Sequence, residues 1–345
     1  FFAEITEYRR VDLDKSLEFL KEHPVIEFNT LYEKAKYKIF SVMLINTREE
    51  YGDVFDAYMV FDADNLLSED YISRMNETFS DGYRIITSYR NSKNYGDNWI
   101  SAGYALWFLR EAKYLNNARY LLGTSCAVSG TGFMFSREIL KSCGGWPFHL
   151  LVEDIEFTIH NIVSGEKVGY CPRAVLYDEQ PTKFSQSWKQ RMRWARGYIQ
   201  ILRKYGGRLL HGIFAKRSFS CFDMTMNIAP AVILSFLGII INVGAAVYSV
   251  LNGGGTDVLL QSFGQLILNT CLMMFIIGAI TTISEWKNIY CSTPKKILYA
   301  FTFPLFMLTY LPICIVALFR PVKWEPIVHD RVRTLREVRG EGNAA

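Results

Sequence analysis

No Cys-x-x-Cys pair occurs in the chain, and its seven cysteines (Cys126, Cys143, Cys171, Cys221, Cys271, Cys291 and Cys314) are an odd number. That pattern speaks against a disulfide framework and reads as reduced thiols in a protein that faces the cytosol or is buried in a membrane. There is no marked excess of positive charge either. Lys and Arg number 38 against 34 Asp and Glu, for a net +4, and the basic residues cluster only near the apolar segments, so no nucleic acid partner is expected. The N-terminus has no apolar signal segment and starts at Phe1-Phe2 without Met, which leads us to expect a fragment. The most informative absence is of charge within three long stretches, 228–251, 258–283 and 297–319.

Each of those stretches exceeds the roughly 20 residues needed to cross a bilayer core, so three membrane helices are expected. With 345 residues, half of them hydrophobic, the chain also has room for a folded domain ahead of them. The link after the first stretch lacks Lys and Arg, whereas Lys287, Lys295 and Lys296 follow the second, which places the latter link in the cytosol together with the N-terminal domain. The tail 320–345 carries Arg320, Lys323, Arg331, Arg333, Arg336 and Arg339, and by the same rule it also belongs in the cytosol. A 23-residue helix over 297–319 cannot satisfy both ends, so either that segment is broken and re-entrant or the tail is external.

Within the first 184 residues the reading is of an α/β fold. A helix is expected over 13–22, with the carboxylates of Asp12-Leu13-Asp14 at its start, then a short strand at 25–28 and a second helix over 33–46. Ala57-Tyr58-Met59-Val60-Phe61 is an apolar run of the kind buried in a parallel sheet, and it leads directly into Asp62-Ala63-Asp64. A helix over 69–79 and a strand over 84–89 complete a strand, helix, strand order, in which ligands gather at the carboxyl ends of the strands. Two carboxylates one residue apart at such an end can both turn to a divalent cation that also holds a diphosphate. By itself Asp-x-Asp is a weak signal, since Asp12 and Asp14 form the same pattern.

Three further features stand out. Residues 123–132 are small and include Ser129-Gly130-Thr131-Gly132, which permits either close backbone approach to a ligand or a tight connection into a strand at 133–135. Glu153-Asp154 opens a helix over 155–163, where an acidic pair serves as a cap or as a general base. Across 185–201, Gln190, Arg193 and Trp194 fall at i, i+3 and i+4, so one helical face carries an amide, a guanidinium and an indole. Lys189, Arg191 and Arg196 form a basic collar suited to a lipid surface or to phosphate oxygens, and a basic amphipathic helix without chemistry is the plainer alternative.

Taken in order, Asp62-Ala63-Asp64, Ser129-Gly130-Thr131-Gly132, Glu153-Asp154 and Gln190-Arg191-Met192-Arg193-Trp194, followed by apolar helices, resemble the processive family 2 glycosyltransferases. These include the hyaluronan, cellulose, chitin and poly-N-acetylglucosamine synthases, and Gln-x-x-Arg-Trp is the most specific of the motifs. The resemblance implies a partial GT-A (Rossmann-like) catalytic domain over 1–184, interfacial helices over 185–227, membrane helices over 228–319 and a basic tail over 320–345. It implies a membrane-bound inverting enzyme that moves sugar from a UDP-sugar to a growing β-linked polysaccharide, in the plasma membrane, multi-pass, with the catalytic domain cytosolic. Asp64 would coordinate Mg²⁺ or Mn²⁺ on the nucleotide diphosphate, with Asp62 reaching the nucleotide or the metal shell. Asp154 would be the catalytic base. Gln190, Arg193 and Trp194 would lie over diphosphate and acceptor, Arg193 countering charge on leaving UDP and Trp194 stacking on the acceptor ring. Ser129, Gly130, Thr131, Gly132 and Glu153 would border the acceptor.

The family's nucleotide-binding half is longer than the 61 residues that precede Asp62, and Lys34-Ala35-Lys36-Tyr37-Lys38 lacks the glycine of its Lys-Gly element, so that half is expected to be incomplete. Two other functions fit the same residues: a non-processive transferase acting on a lipid, as in the related ceramide glucosyltransferases, and a catalytically dead scaffold for polysaccharide export. Membrane lipid is an expected partner in every case.

Overall fold

The computed structural model describes residues 55–62, 64–253, 257–322 and 333–340. The helices expected at 13–22 and 33–46, the strand at 25–28 and the Asp12 and Asp14 pair lie outside the described residues.

A five-stranded mixed sheet forms the centre, built from β1 (Ala57–Val60), β2 (Leu66–Leu67), β3 (Ile85–Ser92), β4 (Phe133–Ser136) and β5 (Val168–Asp178), in the order β1-β4-β3-β5-β2. β1 and β3 both pair antiparallel with β4, while β3 and β5 run parallel. The expectation of a parallel-sheet strand at 57–61 is corrected here: β1 is half-buried and has an antiparallel partner. Two antiparallel pairings in succession restore direction, so β1 still runs the same way as β3 and β5. The carboxyl ends of all three therefore meet on one edge. Between Ser88 and Tyr89 of β3 the register against β5 jumps from Cys171 to Val175. Pro172, which has no N–H for the ladder, lies in that interval and is exposed with Arg173.

Helices cover both faces. α1 (Tyr71–Ser80) seats Tyr71 and Met75 among Ile86, Met134, Cys171 and Leu176. On the other face, α2 (Trp99–Arg110) starts from an Asn98–Ser101 capping box and is buried almost all round. It continues as a π-helical turn (Glu111–Asn116) and α3 (Asn117–Leu121). α4 (Arg137–Ser142) follows β4, and α5 (Glu153–Ser164) ends at Gly165, whose φ of +98° suits glycine at a helix C-terminus.

The stretch carrying Gln190, Arg193 and Trp194 is part of one long helix, α6 (Phe184–Phe214), and α7 (Phe219–Ile228) packs back on it. α8 (Pro230–Leu251) and α9 (Asp257–Ser284) then form a pair of apolar helices in contact with each other. The first apolar stretch thus begins two residues later than expected, because α7 ends at Ile228 and Pro230 opens a new helix. By length and composition, the spans fit to cross a membrane among the described residues are 263–284, with 22 residues, and 293–319, with 27.

The last of these is not a single rod. It comprises α10 (Thr293–Leu308) and α11 (Tyr310–Phe319), which meet at Thr309 between Pro304 and Pro312. One end rests on the α/β domain, where Lys295 Nζ donates to Gly96 O (2.6 Å), and the other on α6, where Arg196 Nη1 donates to Ala317 O and Leu318 O (3.2 and 3.3 Å). Along its length Gly103 of α2 faces the Phe306 ring, so closely that a Cβ there would lie 2.3 Å from Cγ. The turn after α9 also lies on the domain, with Asn91 Nδ2 donating to Asn288 O (2.9 Å) and the Tyr89 hydroxyl donating to Glu285. After α11, the short α12 (Leu335–Arg339) returns to the same domain, where Arg333 donates to Lys93 O (2.8 Å) and Arg339 lies 3.3 Å from Glu69.

Candidate active site

The carboxyl-end edge of the sheet carries Asp62 after β1, Lys93 and Asn94 after β3, and Glu179 and Gln180 after β5. Backbone and side-chain bonds stitch these turns together. Lys93 N donates to Asp178 O (2.9 Å), Gln180 N to Asn94 Oδ1 (2.9 Å) and Glu179 N to Asp64 Oδ2 (3.0 Å). Asp62 is exposed, and its N–H donates to Thr131 Oγ1 (2.9 Å), so the Asp-x-Asp turn and the small-residue loop are held to each other. In that loop Gly130 and Gly132 have φ of +79° and +68°, and a Cβ on Gly132 would lie 1.8 Å from Leu176 Cδ2. Glycine at that position is required by both conformation and space.

Arg90, one residue beyond the strand read from sequence, organises the next layer. Its guanidinium bonds Asp178 through Nε at 2.9 Å and also through Nη2, donates to Ser129 O (2.8 Å) and lies 3.7 Å from the Phe108 ring centroid. Ser129 Oγ in turn donates to Glu111 Oε2 (3.3 Å), on the π-helical turn. Burial raises the pKa of Glu111 and of Asp178, with Arg119 and Arg90 opposing it at Glu111 and Arg90 opposing it at Asp178.

Asp154 stands in the first turn of α5, beside Gly130. Burial pushes its carboxyl above the ordinary aspartate range, while the N–H of Ile155, the charge of Arg193, the N–H of Gly130 and the charge of Arg90 pull it back down. Glu153 is raised as well, first by burial and then by the Asp154 carboxylate. α6 reaches this place because Gly197 packs on Val152, where a Cβ would lie 2.6 Å from Cγ2, and because Leu151 N donates to Gln200 Oε1 (3.2 Å). Trp194 is half-buried and held edge-to-face by Tyr104 and Phe108, at centroid distances of 5.7 and 6.1 Å. Gln190 Oε1 is buried and has no hydrogen-bond donor among the described residues.

The structure thus gathers Asp62, Ser129, Gly130, Thr131, Asp154 and Arg193, with Gln190 and Trp194 farther along the same α6 face. Glu153 sits beside Asp154, and Gly132 underlies the loop. Asp64 is turned toward Lys93, 3.6 Å away, and toward the Glu179 N–H. Arg90, Lys93, Asp178, Glu179 and Glu111 escaped the sequence reading. One signal was available: Asp178-Glu179-Gln180 ends the largely apolar β5 much as Asp62-Ala63-Asp64 follows β1. No group of three or more His, Cys, Asp or Glu is disposed to hold a metal ion among the described residues. Asp62 and Asp64 nonetheless supply hard carboxylate oxygens, the donor type that Mg²⁺ and Mn²⁺ take.

Comparison with known proteins agrees with the family resemblance. The family described as glycosyltransferase like family 2 matches residues 18–197. The chain is 33% identical over 97 residues to the probable glycosyltransferase YdaM of Bacillus subtilis, covering 28% of this chain and 22% of that protein. It is 30% identical over 88 residues to a poly-β-1,6-N-acetyl-D-glucosamine synthase of Staphylococcus epidermidis, 26% of this chain and 21% of that one. It is also 27% identical over 146 residues to a β-monoglucosyldiacylglycerol synthase of Synechocystis, 42% of this chain and 30% of that one. The matches therefore span about a fifth to a third of these relatives' lengths. Because the family match extends over more than half of the chain and takes in Asp62, Asp154 and Trp194, this chain belongs to glycosyltransferase like family 2.

Proposed function

We propose that this protein is a membrane-bound inverting glycosyltransferase that transfers sugar from a UDP-sugar to a growing β-linked polysaccharide. The observation that carries the reading is the placement of Asp154. A half-buried carboxylate with a raised pKa stands at the strand-end edge, beside the Gly130 backbone and within the field of Arg193. A carboxylate so tuned can take the proton from an acceptor hydroxyl as that oxygen attacks the anomeric carbon. Arg193 offsets negative charge on the leaving diphosphate. The half-buried indole of Trp194 offers an apolar surface to a sugar ring, and the undonated Gln190 Oε1 suits a sugar hydroxyl. Ser129, Thr131 and Glu153 border the same space.

Asp62 and Asp64 would hold Mg²⁺ or Mn²⁺, whose remaining ligands would come from diphosphate and water. Bound there, the cation would neutralise charge on the departing nucleotide. The similarity to a poly-β-1,6-N-acetyl-D-glucosamine synthase supports a polysaccharide product, and that to a β-monoglucosyldiacylglycerol synthase supports a lipid acceptor as the second reading.

In this reading α8 and α9 cross the membrane as a hairpin. The chain leaves the catalytic domain after α7 and returns to it at Glu285, which requires an even number of crossings. α10 and α11, anchored to the α/β domain at one end and to α6 at the other, lie along the membrane surface rather than crossing it, and the arginine-rich tail stays on the cytosolic side with Lys287, Lys295 and Lys296. The plasma membrane is the location that such an arrangement and a cytosolic UDP-sugar call for.

The test is Asp154→Asn in membrane-embedded protein supplied with radiolabelled UDP-sugars and Mn²⁺. Transfer should fall about 10²-fold or more with UDP binding kept, since Asn keeps nearly the same volume and one acceptor oxygen but cannot take the proton. Long polymer from the wild-type protein supports the first reading and a single lipid-extractable sugar the second. An Asp154→Asn protein that keeps most of its transfer rate would remove the assigned base.

A further inference from the structure

Lys93 follows β3 directly, and its side chain is only 4% exposed. Its ammonium meets oxygens from two separate turns: the main-chain carbonyl of Asp64 at 2.5 Å, the Asp64 carboxylate at 3.6 Å and the Glu179 carboxylate at 3.7 Å. Lysine is ordinarily exposed because its compact, strongly hydrated charge is costly to desolvate, and a buried one needs close compensation. Here the compensation comes from both sides of the strand-end edge. The backbone at Lys93 is clamped as well: its N–H donates to Asp178 O (2.9 Å), and its carbonyl accepts from Arg333 Nη1 (2.8 Å). A fixed cation thus stands between two carboxylates that would otherwise repel each other across a region of low dielectric. The N–H of Glu179 donates to Asp64 Oδ2 at 3.0 Å, so the carboxylate oxygen that faces Lys93 is held from a second direction.

We infer that Lys93 is a positioning residue for the nucleoside-diphosphate end of the site, acting through Asp64. The inference rests on the proposed role of the Asp62 and Asp64 turn in holding the donor diphosphate with its cation. With its ammonium buried, Lys93 does not itself reach phosphate. Together with the Glu179 N–H it fixes the orientation of Asp64, which then takes its share of a cation-bound diphosphate without reorganising first.

The experiment compares full-length wild-type, Lys93→Met, Lys93→Met/Glu179→Gln and Asp154→Asn proteins in detergent. UDP binding is titrated at a series of MnCl₂ concentrations by calorimetry, and folding is followed by thermal unfolding. Met keeps the length of the stem and removes the charge. The double variant also removes the charge of the Glu179 carboxylate that faces Lys93, so it preserves a folded protein should the single variant fail to fold. The Mn²⁺ concentration needed for half-maximal UDP binding should rise about tenfold in both Lys93 variants and stay at the wild-type value in Asp154→Asn. A Lys93 that merely staples the fold would lower the unfolding temperature and leave that Mn²⁺ dependence unchanged in the folded protein, which would overturn the inference alone. Wild-type protein that binds no UDP at any Mn²⁺ concentration would overturn the functional reading, and this inference with it.

Discussion

The contact between α6 and the loop before α5 is where a one-atom change should separate stability from activity. At Gly197 an added Cβ would lie 2.6 and 2.9 Å from the two Cγ atoms of Val152. Carbon atoms in ordinary contact sit about 3.5–4.0 Å apart, so Gly197→Ala should move the helix and the loop apart by about 1 Å. Arg193 lies one helical turn before Gly197, and Val152 lies two residues before Asp154, so the displacement falls between the guanidinium and the carboxylate of the proposed site. Two stability effects oppose each other. Alanine is favoured over glycine in a helix by about 1 kcal/mol, while overpacking costs about 1–3 kcal/mol, which leaves a net loss of roughly 0–2 kcal/mol.

A misplacement of about 1 Å at a reacting geometry can cost about 10²-fold in rate, or about 2.7 kcal/mol of barrier. Gly197→Ala should therefore unfold close to the wild-type temperature and bind UDP, yet transfer sugar about 10- to 100-fold more slowly. Gly207→Ala is the control on the same helix, because a Cβ there meets nothing within 4 Å. It should keep full activity and be slightly more stable. Wild-type transfer by a folded Gly197→Ala protein would show that this contact does not set the geometry between Arg193 and Asp154.

Two other outcomes are expected. Because Asp154 must be ionised to act and burial raises its pKa, the donor-saturated rate should fall with decreasing pH through a midpoint above the ordinary aspartate value of about 3.9. The residual rate of Asp154→Asn should lack that limb, and an identical acid limb in the variant would assign it to another group. A cysteine placed at Gly253, in the link between α8 and α9, should react with a membrane-impermeant reagent from outside the cell, whereas one at Lys295 should not; the reverse pattern would invert the proposed orientation.

Much of the site was legible in the sequence because its parts lie within single local elements. An apolar run ending in Asp62-Ala63-Asp64 marks a strand end, Glu153-Asp154 marks a helix start, and Gln190, Arg193 and Trp194 share a face through helical periodicity alone. Charge-free runs of more than 20 residues likewise announced apolar helices without knowledge of their neighbours. What stayed hidden depends on contacts between elements distant in sequence. The antiparallel placement of β4 between β1 and β3 leaves no trace in β1 itself, since an apolar run does not record the direction of its partner. Arg90 and Lys93 become notable only when the parallel pairing of β3 with β5 brings Asp178 and Glu179 beside them. The stretch 297–319 has the composition of a membrane span, and only its packing under Arg191 and Arg196 and against Gly103 shows a broken helix resting on the domain. Local pattern determined which residues are candidates for chemistry and which segments are apolar; tertiary structure decided which of them meet, because desolvation and charge pairing act across space and not along the chain.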